Sequence, residues 1–192
     1  MWNSRITRFM ELKYFTKVTT MYSGVNSFNS CTNLISINTD NIKNLDGNTG
    51  GTGNNAPPLG STGLTEIYLP NIVSLGHYSF KYKGTNVNEM NLSPLRTVVL
   101  GKSLSRFLGG YTLAYVHNIN YFIYATTPPT SNEALRRTGI TKPALMYVPD
   151  NSVTAYKESP TFSNWVDYIK PISEYEGDRP WEALYPEELG LS

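Results

Sequence analysis

The chain has 192 residues, a net charge of +1 and 16% charged residues, against about 25% in an average globular domain; nineteen Asn and twenty Thr supply neutral polarity in their place. That length suits one domain, or one with a small appendage, and a near-zero charge without a basic run excludes a general nucleic-acid or anionic-membrane binder. Cys31 is alone, which excludes an intrachain disulfide or a multi-cysteine zinc site, and no stretch approaches the roughly twenty apolar residues of a membrane span.

The opening residues, Met1 to Met10, are too polar for the apolar region of a signal peptide, so the expectation is a chain without a cleaved signal or one numbered after it. Two motifs then alternate. Leu64-Thr65-Glu66-Ile67-Tyr68-Leu69 and Leu95-Arg96-Thr97-Val98-Val99-Leu100 share Leu-x-x-Ile/Val-x-Leu, with looser copies at Leu34–Thr39 and Ile119–Tyr124. Asn41-Ile42-Lys43-Asn44-Leu45 and Asn71-Ile72-Val73-Ser74-Leu75-Gly76 form the second motif, preceded by Val18–Met21. An aromatic is the third element, Phe28 before Cys31 and Phe80 closing the unit that begins at Leu64.

The last two apolar residues of the first motif lie two apart, the period of a strand, and Gly76 ends the second at a turn. Units this small must stack on neighbours to bury their apolar side, so the predicted fold is a β-rich solenoid over residues 1–125. Unrelated strands of a β-sandwich would explain the alternation but not two motifs recurring in fixed order. The Gly-rich insertion 46–63 excludes helix or central strand and reads as a long solvated loop; it lacks the Gly-Lys-Ser/Thr ending of a phosphate-binding loop.

After Ala125 the character changes. Ser131 or Asn132 is placed to cap a short helix over Glu133–Arg137 ended by Gly139, and Ala144–Pro149 reads as a strand. Asp150 or Asn151 is placed to cap a helix from Ser152 to Glu158. Residues 126–173 are therefore expected to form a small α/β C-terminal cap. Residues 174–192 form an acidic but apolar-studded tail in which Trp181, Leu184 and Tyr185 either fold back on the cap or dock on another chain.

Cys31-Thr32-Asn33-Leu34-Ile35-Ser36-Ile37, Leu64 through Gly76 and the following Phe80 resemble the BspA-like leucine-rich repeat family of bacterial surface proteins. Ile123–Pro129, Tyr147–Lys157 and Trp165–Ile172 are similar to that family's C-terminal capping region, in the right order. The resemblance covers roughly residues 9 to 173 and implies a leucine-rich repeat solenoid without catalytic residues or cofactor, acting in adhesion or in recognition of protein or carbohydrate partners. Related repeats also occur in bacteriophage virion proteins. The chain departs from the pattern in its Gly-rich insertion, in the missing cysteine of the repeat before Met90, and in the tail.

Catalysis and metal binding find little support. His77 and His117 are the only near-neutral bases and fall in different units, Cys31 reads as a packed core thiol, and Glu187-Glu188 with scattered Asp residues make no ligand cluster. If Ile67/Leu69, Val98/Leu100 and Phe122/Tyr124 point inward, strand alternation sends Glu66, Tyr68, Thr97, Val99, Tyr121 and Ile123 outward as one ridge. The predicted role is a non-enzymatic recognition or adhesion module that binds a protein or glycan through that ridge. The alternative is a structural assembly subunit of a phage virion or surface complex, docked through Trp181, Leu184 and Tyr185, with a homo-oligomer as a further possible partner state. Neither reading involves nucleic acid or membrane insertion. The expected location is extracellular, on a bacterial surface or phage virion, with the cytoplasm left open.

Overall fold

The computed structural model describes residues 5–22, 28–46, 57–82, 93–138 and 144–192, in which eleven short strands form three sheets with every pairing parallel. β1 (Arg8–Phe9) and β3 (Ser36–Ile37) make a two-stranded sheet. β2 (Thr20–Tyr22), β4 (Asn44–Asp46), β6 (Ser74–Leu75) and β8 (Arg106–Phe107) make a four-stranded sheet in that order. β5 (Glu66–Leu69), β7 (Thr97–Leu100), β9 (Asn120–Ile123), β10 (Leu145–Val148) and β11 (Ile169–Pro171) make a five-stranded sheet in sequence order. Helix is confined to short pieces, among them Val153–Glu158, Pro180–Leu184 and Pro186–Leu189.

In the five-stranded sheet Ile67, Val98, Tyr121, Met146 and Ile169 stand in register and point to one side. In the four-stranded sheet the corresponding row is Met21, Leu45, Leu75 and Phe107. All nine belong to one buried cluster, so the main core is held between these two sheets. Fully burying each such side chain contributes about 1.5–3 kcal/mol. The other face of the five-stranded sheet carries Tyr68, Val99, Phe122 and Tyr147, part of a second apolar cluster. With both faces covered, parallel strands read as nearly continuous apolar runs, as Val98-Val99-Leu100 and Tyr121-Phe122-Ile123 do.

Much of the Asn, Thr and Ser content lies in bonds that tie neighbouring segments together. Asn44 donates to Thr20 Oγ1 at 3.2 Å and accepts from Ser74 Oγ at 2.8 Å, across three strands. Asn41 donates to the Leu12 and Lys13 carbonyls, and Asn71 to the Asp40 carbonyl at 3.0 Å. Thr62, Ser79 and Thr112 close turns by donating to carbonyls three residues back.

This architecture corrects the expected β-rich leucine-rich repeat solenoid. The described residues form three separate parallel sheets of two, four and five strands with few helices, an α/β-like arrangement. Recurring motifs reflect in-register parallel pairing of like segments, which does not require one continuous coil. The break falls between β3 and β5: Ser36 and Ile37 pair with Arg8 and Phe9, and the link onward includes a hydrogen bond from Thr39 Oγ1 to the Tyr68 carbonyl.

Other expectations shift locally. The strand after Ala144 and the helix ending at Glu158 form, but no side chain caps that helix; Asp150 instead accepts from the Ser173 N–H at 3.1 Å. Ser131 Oγ accepts from the Glu133 N–H at 3.4 Å, yet residues 133–137 do not become helical. There the chain spends its backbone groups on neighbours, Leu135 N–H to the Thr161 carbonyl and Arg136 N–H to the Gly110 carbonyl. Gly139 and Met90 lie outside the described residues, as do positions 47–56 of the insertion. Its end is not solvated: Pro57–Thr62 are buried, and the carbonyls of Pro58 and Gly60 accept from the Phe28 and Ser30 N–H groups.

Candidate functional site

Of the residues expected on an outward ridge, Glu66 is exposed, Tyr68 and Thr97 are half-buried, and Val99 is buried on the same outer face of the five-stranded sheet. Tyr121 and Ile123 face the main core instead. β9 is displaced by one residue from the motif alignment: Val98 pairs with Tyr121, which sets Leu95 level with Asn118 and not Ile119. In a strand a one-residue shift exchanges the two faces, so Phe122 takes the outward place.

That face is covered by the chain's own tail. Trp181 is 2% exposed, its ring centroid 4.7 Å from that of Phe122 and 5.8 Å from that of Tyr68. Tyr185 meets Tyr68 edge-on at 6.3 Å, and Tyr175 meets Phe122 edge-on at 4.8 Å. Polar bonds fix the docking: Tyr124 OH donates to Glu182 Oε1 at 2.6 Å, Trp181 Nε1 donates to the Tyr124 hydroxyl oxygen at 2.9 Å, and Arg179 donates to Glu182 Oε1 at 2.9 Å. Burial, then the nearby carboxylates Glu66, Glu182 and Asp40 respectively, raises the phenols of Tyr68, Tyr124 and Tyr185 well above their ordinary range. Tail and ridge, read from the sequence as separate surfaces, are thus brought against each other. Leu184 alone of the three tail residues stays mostly exposed, beside a recess of about 170 Å³ shared with Met10, Ile35 and Tyr185.

A half-exposed aromatic cluster lies elsewhere. The turns that follow β6 and β8 bring Tyr78, Tyr111 and Tyr115 together, with centroid separations of 5.4 Å (Tyr78–Tyr111), 5.6 Å (Tyr78–Tyr115) and 6.4 Å (Tyr111–Tyr115). All three rings are half-buried. Their positions are set by the backbone: the Tyr78 N–H donates to the Tyr111 carbonyl at 3.2 Å and the Tyr115 N–H to the Thr138 carbonyl at 3.0 Å. Tyr78 and Tyr115 adopt positive φ of 56° and 58°, an uncommon conformation for a bulky residue, and the ladder bonds hold them there. Gly109 supplies the floor, because a Cβ at that position would stand 2.0 Å from His77 Nε2; the imidazole lies against it and beside Tyr78 and Tyr111.

Two cations lie over these rings. Lys81 Nζ lies 5.2 Å from the Tyr78 centroid and 5.4 Å from the Tyr115 centroid, and the Arg136 guanidinium lies 4.6 Å from the Tyr111 centroid. Arg136 also donates to the Tyr111 hydroxyl at 3.0 Å and pairs loosely with Glu133 at 3.5 Å. Burial holds the Lys81 ammonium below its ordinary value. Burial also raises the Tyr78 phenol, reinforced by Tyr115 and Tyr111 and opposed by Arg136.

No group of three or more His, Cys, Asp or Glu among the described residues could hold a metal ion. Cys31 is buried, and that burial raises its thiol and keeps it protonated. His77 is a turn residue, as its place after Gly76 predicts. Compared with protein-family models and with curated proteins, the chain matches none.

Chemical type singles out His77 in the sequence but not its neighbours Tyr78, Lys81, Tyr111, Tyr115 and Arg136. A signal was present: Gly-x-Tyr occurs at Gly76–Tyr78 and again at Gly109–Tyr111, and these two turns are the ones that pair.

Proposed function

We propose that this protein is a non-enzymatic recognition module, working at a bacterial surface or on a phage particle, whose partner-binding surface is the platform of Tyr78, Tyr111 and Tyr115 bordered by Lys81 and Arg136. The observation that carries this reading is the gathering of three half-exposed tyrosines within 6.4 Å of one another on paired turns. Tyrosine offers large contact area at low entropy cost, and its hydroxyl adds a hydrogen bond at the rim, a combination suited to protein or glycan ligands. The BspA-like resemblance of the sequence points toward surface recognition as well. The outer face of the five-stranded sheet is a poorer candidate, since Trp181 and Tyr185 occupy it.

The test is binding of the full chain to panels of glycans and of host and matrix proteins, with Tyr78→Ala/Tyr115→Ala beside it. Loss of about tenfold or more in affinity, with an unchanged circular dichroism spectrum, is expected from losing two aromatic contacts. Unchanged binding by the double variant would remove the platform as the site.

An assembly subunit is the second reading. It is favoured by Tyr14, Phe15 and Tyr22, which are 73%, 53% and 48% exposed near β1 and β2, edge strands among the described residues. Docking would then use that end of the molecule and not the tail. Light scattering separates the two, a concentration-independent monomer counting against assembly.

A further inference from the structure

A second concave site lies where the tail meets the end of the five-stranded sheet. β9, β10 and β11 are adjacent and parallel, and the residues that directly follow them, Tyr124, Pro149 and Ile172, line a cavity of about 360 Å³ outside their carboxyl ends. That edge is where parallel sheets present their ligand crevices, and the volume falls in the range of small-molecule sites. The tail closes the other side with Arg179, Glu182 and Leu189. Tyr124, Ile172 and Leu189 are buried within it, while Asp150 and Asn151 are exposed at its mouth.

Hydrogen-bonding groups of both kinds are fixed there. Glu182 Oε1 accepts from Tyr124 OH at 2.6 Å and from Arg179 at 2.9 Å, which holds carboxylate and guanidinium side by side. Asp150 accepts from the Ser173 N–H at 3.1 Å, and its bonds from Ser173 hold the carboxyl below its ordinary value, so it is ionised at neutral pH. Asn151 spends its Oδ1 on the Ser152 hydroxyl at 3.2 Å, which leaves the amide nitrogen as its donor. A carboxylate accepts, and a guanidinium donates, more hydrogen bonds than these. An anion entering the cavity would meet two carboxylates, Asp150 and Glu182. A cation would meet Arg179, which is bonded to Glu182 and close enough to Asp150 to help lower it. A neutral ligand with several hydroxyls avoids both conflicts, because each hydroxyl donates to a carboxylate while accepting from the guanidinium or the amide.

We propose that this cavity binds a neutral sugar residue, with Asp150 and Glu182 as acceptors, Arg179 and Asn151 as donors, and the C–H face of the ring laid on Pro149, Ile172 and Leu189. Those apolar walls are aliphatic, which suits a saturated, puckered ring better than a planar base. The site is distinct from the tyrosine platform, and neither requires the other.

The experiment is a chemical-shift titration of the isotope-labelled full chain with glucose, galactose, mannose and N-acetylglucosamine, with glucuronic acid and glucosamine as charged comparators. At least one neutral sugar is expected to bind about tenfold or more tightly than either comparator, with shifts centred on Tyr124, Asp150, Asn151 and residues 179–191. Asp150→Asn/Asn151→Ala should weaken that binding about tenfold or more, with thermal melts establishing that the variant is folded. A readout on the unaltered protein stands beside it: because the tail forms one wall, the bound sugar should slow amide exchange in residues 179–191. Equal affinity for the sugar and its methyl glycoside identifies the end of a glycan as the ligand, and loss on methylation identifies the unlinked monosaccharide. Tighter binding of glucuronic acid or glucosamine overturns the neutral-sugar assignment, and shifts centred on Tyr78, Tyr111 and Tyr115 overturn the cavity as the site. No binding of any sugar, or no slowing of exchange in the tail, overturns the proposal.

Discussion

Single atoms decide several features of this fold. Among the described glycines Gly101 is the least replaceable by contact, since a Cβ would lie 1.7 Å from the Pro70 carbonyl oxygen, which belongs to the backbone and cannot turn aside. Gly109 is a softer case, because its Cβ would meet the His77 ring. Gly109→Ala is expected to cost about 1–3 kcal/mol and Gly101→Ala at least the upper end of that range, read from urea midpoints. Gly109→Ala should also weaken platform binding, since the displaced imidazole disturbs Tyr78 and Tyr111. A hydroxyl is equally informative at the tail: Tyr124→Phe removes the partner of both Glu182 and the Trp181 indole. Leaving those groups unpaired should cost about 1–3 kcal/mol, with Trp181 fluorescence shifting to the red as the tail loosens.

Among the elements, the tail has the least expected role. Its short helices Pro180–Leu184 and Pro186–Leu189 lie across the outer face of the five-stranded sheet and complete a second core with Val99, Phe122 and Tyr147. Trp181→Ala is expected to destabilise that docking by about 3–5 kcal/mol, measured as accelerated amide exchange confined to the tail and the sheet beneath it. Removing residues 177–192 should uncover an apolar face and lower solubility; an equally soluble, equally stable truncation would contradict the packing described. Strand positions were legible in the sequence where apolar period two is clean, as in Glu66–Leu69, and at Thr97–Leu100 through its motif match to that strand. The face of β9 was not, because Tyr121, Phe122 and Ile123 are all apolar and no polar residue marks the outer side. The tail's partner was illegible for a related reason: Trp181 and Tyr185 announce burial but not the surface that buries them. The platform's tyrosines sit in turns, outside the periodic segments, so hydrophobic patterning does not mark them.

For the molecule as a whole, low charge and abundant Asn, Thr and Tyr follow from three parallel sheets joined by side-chain bonds and aromatic contacts. Four of those tyrosines, Tyr121, Tyr124, Tyr147 and Tyr156, are buried, and burial raises their phenols as it does those of the half-buried Tyr68 and Tyr185. In the unfolded chain a phenol ionises near pH 10. Above that pH the unfolded state has lost protons the folded state still holds, so stability is full below about pH 10 and falls as pH rises. A phenolate absorbance titration should therefore show some tyrosines ionising only together with loss of the circular dichroism signal. Smooth titration of all fourteen tyrosines in a folded protein would contradict the burial of Tyr121, Tyr124, Tyr147 and Tyr156. The most direct test of the molecule's division of labour is one affinity measurement on three proteins: the full chain, Tyr78→Ala/Tyr115→Ala, and a Tyr68→Ala/Tyr185→Ala variant of the tail-covered face. If the open platform binds the partner and the tail-covered face does not, only the Tyr78→Ala/Tyr115→Ala protein loses affinity. Loss confined to the Tyr68→Ala/Tyr185→Ala protein would return the binding site to the sheet face beneath the tail.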